Sequence, residues 1–222
     1  DPDPKPNPDP NPNPNPNPNP TPSPNPHQAS TFQLLSVTSN IVDNPDVVDD
    51  FFELASKVLK KMPALLLESE LLVTAFHCGC AGLHVQHREA NRSVVCFFET
   101  LVGISSQHAR AQVSPASAHA LLALLTEHGA QLVHAMVFAI AGVLPQSRIR
   151  FIVPVLKMLV DMEPTTCRAW VSAGVQSLPA DAHIDGNTLL NALFSAEALQ
   201  DEKAFANAID AFSSACRRKR IL

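Results

Sequence analysis

The sequence predicts an all-α protein built as an α-solenoid of stacked helix pairs, preceded by a disordered proline-rich arm. Three observations carry this reading. Residues 1–26 place proline at every even position and hold none of Ala, Val, Ile, Leu, Met, Phe, Trp, Tyr or Cys. From Ala29 onward apolar residues recur with a period near 3.6, the spacing of one helix face. No segment alternates with a period of two, and no Asn-Gly turn joins strand-like runs.

The arm, residues 1–29, carries thirteen of the 20 prolines. Proline at every second position removes half the backbone donors and pushes each preceding residue toward extended angles. With nothing to bury, this stretch is expected to be solvated and without regular structure, a low-complexity spacer. Charge divides in the same way. The arm contributes Asp1, Asp3, Asp9 and Lys5, leaving 15 Lys/Arg against 18 Asp/Glu in residues 30–222. That balance lacks the basic field of a sequence-independent nucleic-acid binder. Tyrosine is absent, so an aromatic–basic surface for single strands is not expected either.

Five cysteines, an odd number, and an N-terminus of Asp-Pro repeats without an apolar leader point to a reduced, soluble, intracellular chain. Uninterrupted apolar runs such as Ala135–Leu144 reach about half the roughly 20 residues of a membrane span, so none is expected.

Residues 30–222 read as successive helices. Phe32, Leu34, Leu35, Val37, Ile41 and Val42 form a first short stripe. Asn44-Pro45-Asp46 reads as an N-cap, a proline at the first helical position and an acidic first turn. The helix it opens closes on Lys57, Lys60 and Lys61, and Pro63 stops it. Leu65–Leu83 follows, with Gly79 and Gly82 as candidate interruptions, then His87–Ile104. Ser114-Pro115 opens a long apolar stretch to Leu144 that Gly129 is expected to divide. Pro145 opens a helix through Met162 with Pro154 inside it, and Glu163-Pro164 opens one through Leu178. Asn187–Ala198 and Asp201–Lys219 complete the chain. Eight to ten helices joined by short links favour a HEAT-repeat-type α-solenoid over a closed bundle. At about 40–47 residues per unit, this length holds four to five repeats.

The most metal-like cluster is His77, Cys78, Cys80, His84 and His87. His77, Cys80, His84 and His87 share one helix face, but its ends lie about 15 Å apart at 1.5 Å per residue. A tetrahedral site would need a ligand from another helix, so neither metal nor cofactor is assigned. No nucleophile elbow, phosphate loop, zincin motif or carboxylate pair appears, and no catalytic residue is assigned. The candidate partner-binding residues are cations: Arg88, Arg92 and the terminal run Arg217, Arg218, Lys219 and Arg220. The terminal run also suits the dipole at a helix C-terminus. The same neighbours are expected to lower the thiol pKa of Cys216.

Four segments carry a family resemblance. STFQLL (30–35), VDNPDVVDDFFELASKVLKKMPALLLES (42–69), HREANRSVVCFFETLV (87–102) and EPTTCRAWVSAGVQSLP (163–179) resemble, in order and spacing, the C-terminal part of transportin-SR-type receptors of the importin-β family. The resemblance spans the whole of residues 30–222. It implies a non-enzymatic nuclear import receptor that shuttles between cytoplasm and nucleus. The implied partners are serine/arginine-rich splicing factors as cargo, the GTPase Ran and nucleoporins. The family's Ran-holding repeats and arginine-rich cargo helix lie upstream of this segment and map onto no residue here. A stand-alone helical-repeat scaffold without transport activity is the alternative.

Overall fold

The computed structural model describes residues 38–106, 109, 111–179 and 186–218; the arm and most of the first stripe lie outside them. Among the described residues there are eleven α-helices and no strand. Helix α1 is Thr38–Asp43, α2 Pro45–Lys61, α3 Pro63–Leu67, α4 Leu71–Gly82, α5 Arg88–Ile104 and α6 Pro115–Phe138. A π turn, Ala139–Val143, extends α6. Then follow α7 (Gln146–Met162), α8 (Pro164–Gln176), α9 (Gly186–Leu193), α10 (Ala196–Gln200) and α11 (Glu202–Arg218).

Neighbour relations sort these into two layers. One runs α2, α5, α7, α11; the other runs α1, α4, α6, α8, α9. Successive long helices alternate between them, which is the construction of an α-solenoid. Like helices run parallel: Asp49 and Phe52 of α2 meet Ser93 and Phe97 of α5, and Val85 and Ser105 flanking α5 meet Arg148 and Met162 of α7. The last pair reverses this direction. Lys157 of α7 reaches Leu199 O before α11, while Gln146 at the start of α7 meets Ser214 near its end.

The core runs between the layers. Phe52, Phe76, Phe97 and Phe98 are fully buried and meet edge-to-face, with centroids 5.2–5.4 Å apart for Phe52–Phe97, Phe97–Phe98 and Phe76–Phe98. Such pairs add about 0.5–1.5 kcal/mol each beyond the area they bury. Further along, Leu132, Met136, Ile152, Leu156, Val171 and Phe205 continue the same apolar seam.

Several starts follow the sequence. Ser114 Oγ accepts from Ser117 N at 3.0 Å ahead of Pro115, and Glu163 precedes Pro164 at the start of α8. Asn44 stands at the N-cap of α2, yet its side chain closes no cap; the first bond there is Val48 N to Asn44 O. Other expectations fail for identifiable reasons. The Leu65–Leu83 helix breaks at Glu68–Glu70, where Ser69 Oγ turns back onto Leu66 O and Glu68 is drawn to α6. Gly79 and Gly82 do not interrupt α4; they make room for Phe98 and Val94. Gly129 does not divide α6 either, because the Trp170 ring occupies the space a Cβ would need. Helical geometry ends at Gly142 instead, with φ 159° and ψ −11°. The Asn187–Ala198 helix splits at Ser195, whose hydroxyl donates to Ala192 O and accepts from Ala198 N.

Repeat spacing is less regular than a 40–47-residue unit. Contacts between like helices are 44 residues apart for α2–α5, 51 for α4–α6, and 57–63 for α5–α7. The two long steps both contain the 105–114 connection.

One stretch, Pro115–Val143, is long and apolar enough to cross a membrane by length and composition, contrary to the expectation from uninterrupted runs. Half of its apolar window is buried in the fold, and the residues it turns outward include His119, Thr126, Glu127 and Gln131. Its apolarity is used by packing between the layers.

Candidate protein-interaction surface

The connections before α5 and α7 and the end of α11 converge on one edge of the solenoid. Arg148 Nη1 donates to Val85 O at 3.5 Å, and Gln86 donates to Val143 O. Arg217 donates through its guanidinium to Leu144 O and through Nε to Ser213 Oγ at 3.2 Å. These bonds satisfy carbonyls left open where the chain turns between helices. They set the start of α5, with Arg88 and Arg92, the start of α7, with Arg148 and Arg150, and the end of α11, with Arg217 and Arg218, at the same edge.

Arg88, Arg92, Arg150 and Arg218 of this set are exposed, whereas Arg148 and Arg217 are half-buried and partly engaged by the fold. Lys219 and Arg220 lie outside the described residues. The edge is polarised. Its other end is the start of α2, where Asp43 closes α1 and Asp46, Asp49 and Asp50 follow on α2, with Asp49 accepting from Ser93 Oγ at 2.5 Å. Sequence reading singled out Arg88, Arg92 and the terminal run and did not include Arg148 and Arg150. Their shared signal is position: each pair falls at the start of a helix in the same layer.

The expected depression of the Cys216 thiol is reversed. Burial pushes its pKa up to about 11, and the opposing influence of Arg217 is smaller. Cys216 is fully buried, on the inward side of α11.

The His77–His87 cluster is dispersed. His87 caps α5, its Nδ1 accepting from Ala90 N, and Cys78 and Cys80 are buried with their thiol pKa values raised by desolvation. His84 Nε2 lies 3.0 Å from Ala135 O. Among the described residues no group of three or more His, Cys, Asp or Glu is placed to hold a metal. His77 instead meets a residue of another helix, His128 of α6, at 3.3 Å between Nε2 and Nδ1. A groove of about 620 Å³ beside it is lined by Thr74, His77, Cys80, His84, His134 and Phe138, among others.

Among the described residues, the large apolar side chains that remain exposed, Val42, Leu54, Met62, Leu65 and Val73, all fall between residues 42 and 73. They belong to the first helices only.

Comparison with known proteins fits this architecture. A family model described as the importin 13 repeat matches residues 83–167, from the end of α4 to the start of α8. Transportin MOS14 of Arabidopsis thaliana is 25% identical over 194 residues, covering 86% of this chain and 20% of that protein. The solved structure titled importin 13, cytosolic state, superposes with a TM-score of 0.66 at 16% identity, over 86% of this chain and 21% of that one. The fold is an importin-like HEAT-repeat α-solenoid. The chain spans about a fifth of the length of the relatives it matches. The matched repeat region contains Arg88, Arg92, Arg148 and Arg150, four residues of the basic edge.

Proposed function

We propose that this chain is a C-terminal segment of an importin-β-type nuclear import receptor for serine/arginine-rich splicing factors, and that it acts without catalysis. The observation that carries the reading is the repeat-family match over α5 and α7, which supply four residues of the basic edge. In this reading Arg88, Arg92, Arg217, Arg218, Lys219 and Arg220, joined by Arg148 and Arg150, contact the phosphorylated Arg-Ser tract of a cargo. Arginine suits that role because its planar fork makes charge-assisted, bidentate bonds to phosphate. The curvature of the solenoid would couple this contact to Ran bound elsewhere on a longer receptor, which shuttles between cytoplasm and nucleus past nucleoporins.

The exposed apolar residues of the first helices favour a segment over a stand-alone scaffold. A terminal repeat that faces water requires a polar outer surface, and Leu54, Met62 and Leu65 are each more than half exposed.

The test is capture of an Arg-Ser peptide, phosphorylated or not, by the purified chain. The expected result is weak binding of the phosphorylated form alone, lost on raising salt and on the paired reversal Arg88→Glu/Arg92→Glu. Capture of GTP-loaded Ran by this chain alone is not expected. Tight, salt-resistant binding of either partner, or peptide binding indifferent to phosphorylation and to the reversals, would place the functional surface elsewhere.

A further inference from the structure

The function proposed above makes no use of the histidines that face one another between α4 and α6. His77 Nε2 and His128 Nδ1 are 3.3 Å apart, with the rings nearly perpendicular at 87° and their centroids 4.7 Å apart. They come from parallel helices of one layer, 51 residues apart in sequence. His77 is exposed, and 19% of the His128 side-chain surface remains accessible, so an ion has a route to the pair.

We infer that His77 and His128 form a two-histidine site for a borderline divalent metal such as zinc, which bridges α4 and α6. The distance is the first argument. Two imidazole nitrogens bound at about 2.0–2.1 Å to one tetrahedral ion stand about 3.3 Å apart. The spacing observed therefore fits a shared ion as well as it fits one ring donating to the other. The second argument is chemical type. Imidazole nitrogen is the donor that zinc, copper and nickel accept readily, while calcium and magnesium require oxygen. The third is the surroundings. The carboxylate of Glu127 lies 3.8 Å from His128 Nε2, the ring atom turned away from His77. At that distance the exposed carboxylate makes no hydrogen bond to the ring, and its support of His128 is electrostatic only.

The groove continues past His77 to His84 and His134, and His134 Nε2 is buried without a hydrogen-bond partner. Two protein ligands leave the other positions to water, so binding is moderate and reversible rather than structural. Protons compete for the same nitrogens.

The site is tested by zinc titration of the full chain by calorimetry at neutral pH, with cobalt absorption as a second probe. One ion per chain is expected, weakened at least ~10-fold by either His77→Ala or His128→Ala and unchanged by His119→Ala, an exposed histidine elsewhere on α6. Zinc should also raise the melting temperature of the wild-type chain and of Cys78→Ser/Cys80→Ser, but not of His77→Ala. Unaltered Trp170 fluorescence in the histidine variants establishes that they are folded. Binding that survives both histidine variants, binding lost only with the cysteines, or absence of binding to the wild-type chain would each overturn the assignment.

Discussion

Replacing Gly129 by alanine tests whether packing between α6 and α8 or local helix preference controls this position. A Cβ on Gly129 would lie 2.6 Å from Trp170 Cη2 and 2.8 Å from Cζ3. Optimal carbon separations are about 3.5–4.0 Å, so the overlap is roughly 1 Å. The indole is rigid, and relief requires α8 to move away from α6. Overpacking of this kind costs about 1–3 kcal/mol. Alanine in mid-helix returns about 1 kcal/mol over glycine, and the severe overlap places the cost near its upper bound. The net expectation is a loss of about 1–2 kcal/mol, or about 2–8 °C in melting temperature for a chain of this size. Trp170 is the sole tryptophan and tyrosine is absent, so intrinsic fluorescence during urea unfolding reports on this interface directly. Gly103→Ala is the control. Nothing lies within 4 Å of a Cβ there, and a gain of about 0.5 kcal/mol is expected. In the Gly129→Ala background, Trp170→Leu should cost less than it does alone. Equal stabilisation by the two glycine replacements would refute the argument.

Three further outcomes follow from named contacts. Glu68 accepts from the hydroxyls of Ser114 and Ser117, each at 2.6 Å, and these bonds lower its carboxyl pKa. The stability it contributes is present above the ordinary value of 4.5 and is lost as pH falls through the lowered one. Thermal melts of Glu68→Gln should therefore fall below wild type at neutral pH and converge with it in acid. Arg217→Leu removes the donor to the buried Leu144 carbonyl and should cost about 1–3 kcal/mol in urea unfolding, with Arg217→Lys restoring only part; an unchanged midpoint would show that this bond is dispensable. Thiol labelling of the native chain at mildly alkaline pH, read by mass spectrometry, should modify the half-buried Cys96 first. Cys167, pushed up to about 12, and Cys216, at about 11, should react only on unfolding.

The sequence made the helix starts most legible because their chemistry is local. Ser114-Pro115, Pro145 and Glu163-Pro164 each hold within a few residues what a helix needs to begin, and α6, α7 and α8 begin there. Glycine was misread for the same reason. Taken alone, Gly129 weakens a helix, but the structure uses it for the approach of Trp170, 41 residues later. The break after α3 was missed because its cause is also distant: Glu68 turns to Ser114 and Ser117, 46 and 49 residues on.

The candidate surface shows this limit most sharply. Residues that meet between successive helices of one layer are separated by 41 residues at Gly129–Trp170, 51 at His77–His128, 57 at Ser105–Met162 and 63 at Val85–Arg148. A solenoid of constant period would have made these registers readable from self-similarity along the chain. Here the 105–114 connection and the unequal helix lengths remove the constant period, so no single offset predicts which side chains meet. Arg148 and Arg150 consequently join Arg88 and Arg92 only when α7 is laid beside α5. The lone histidine of α4 likewise acquired a partner only when α6 was laid beside it. Each element of the surface was visible in the sequence, but the juxtaposition that makes it a surface depends on the stacking of the layers.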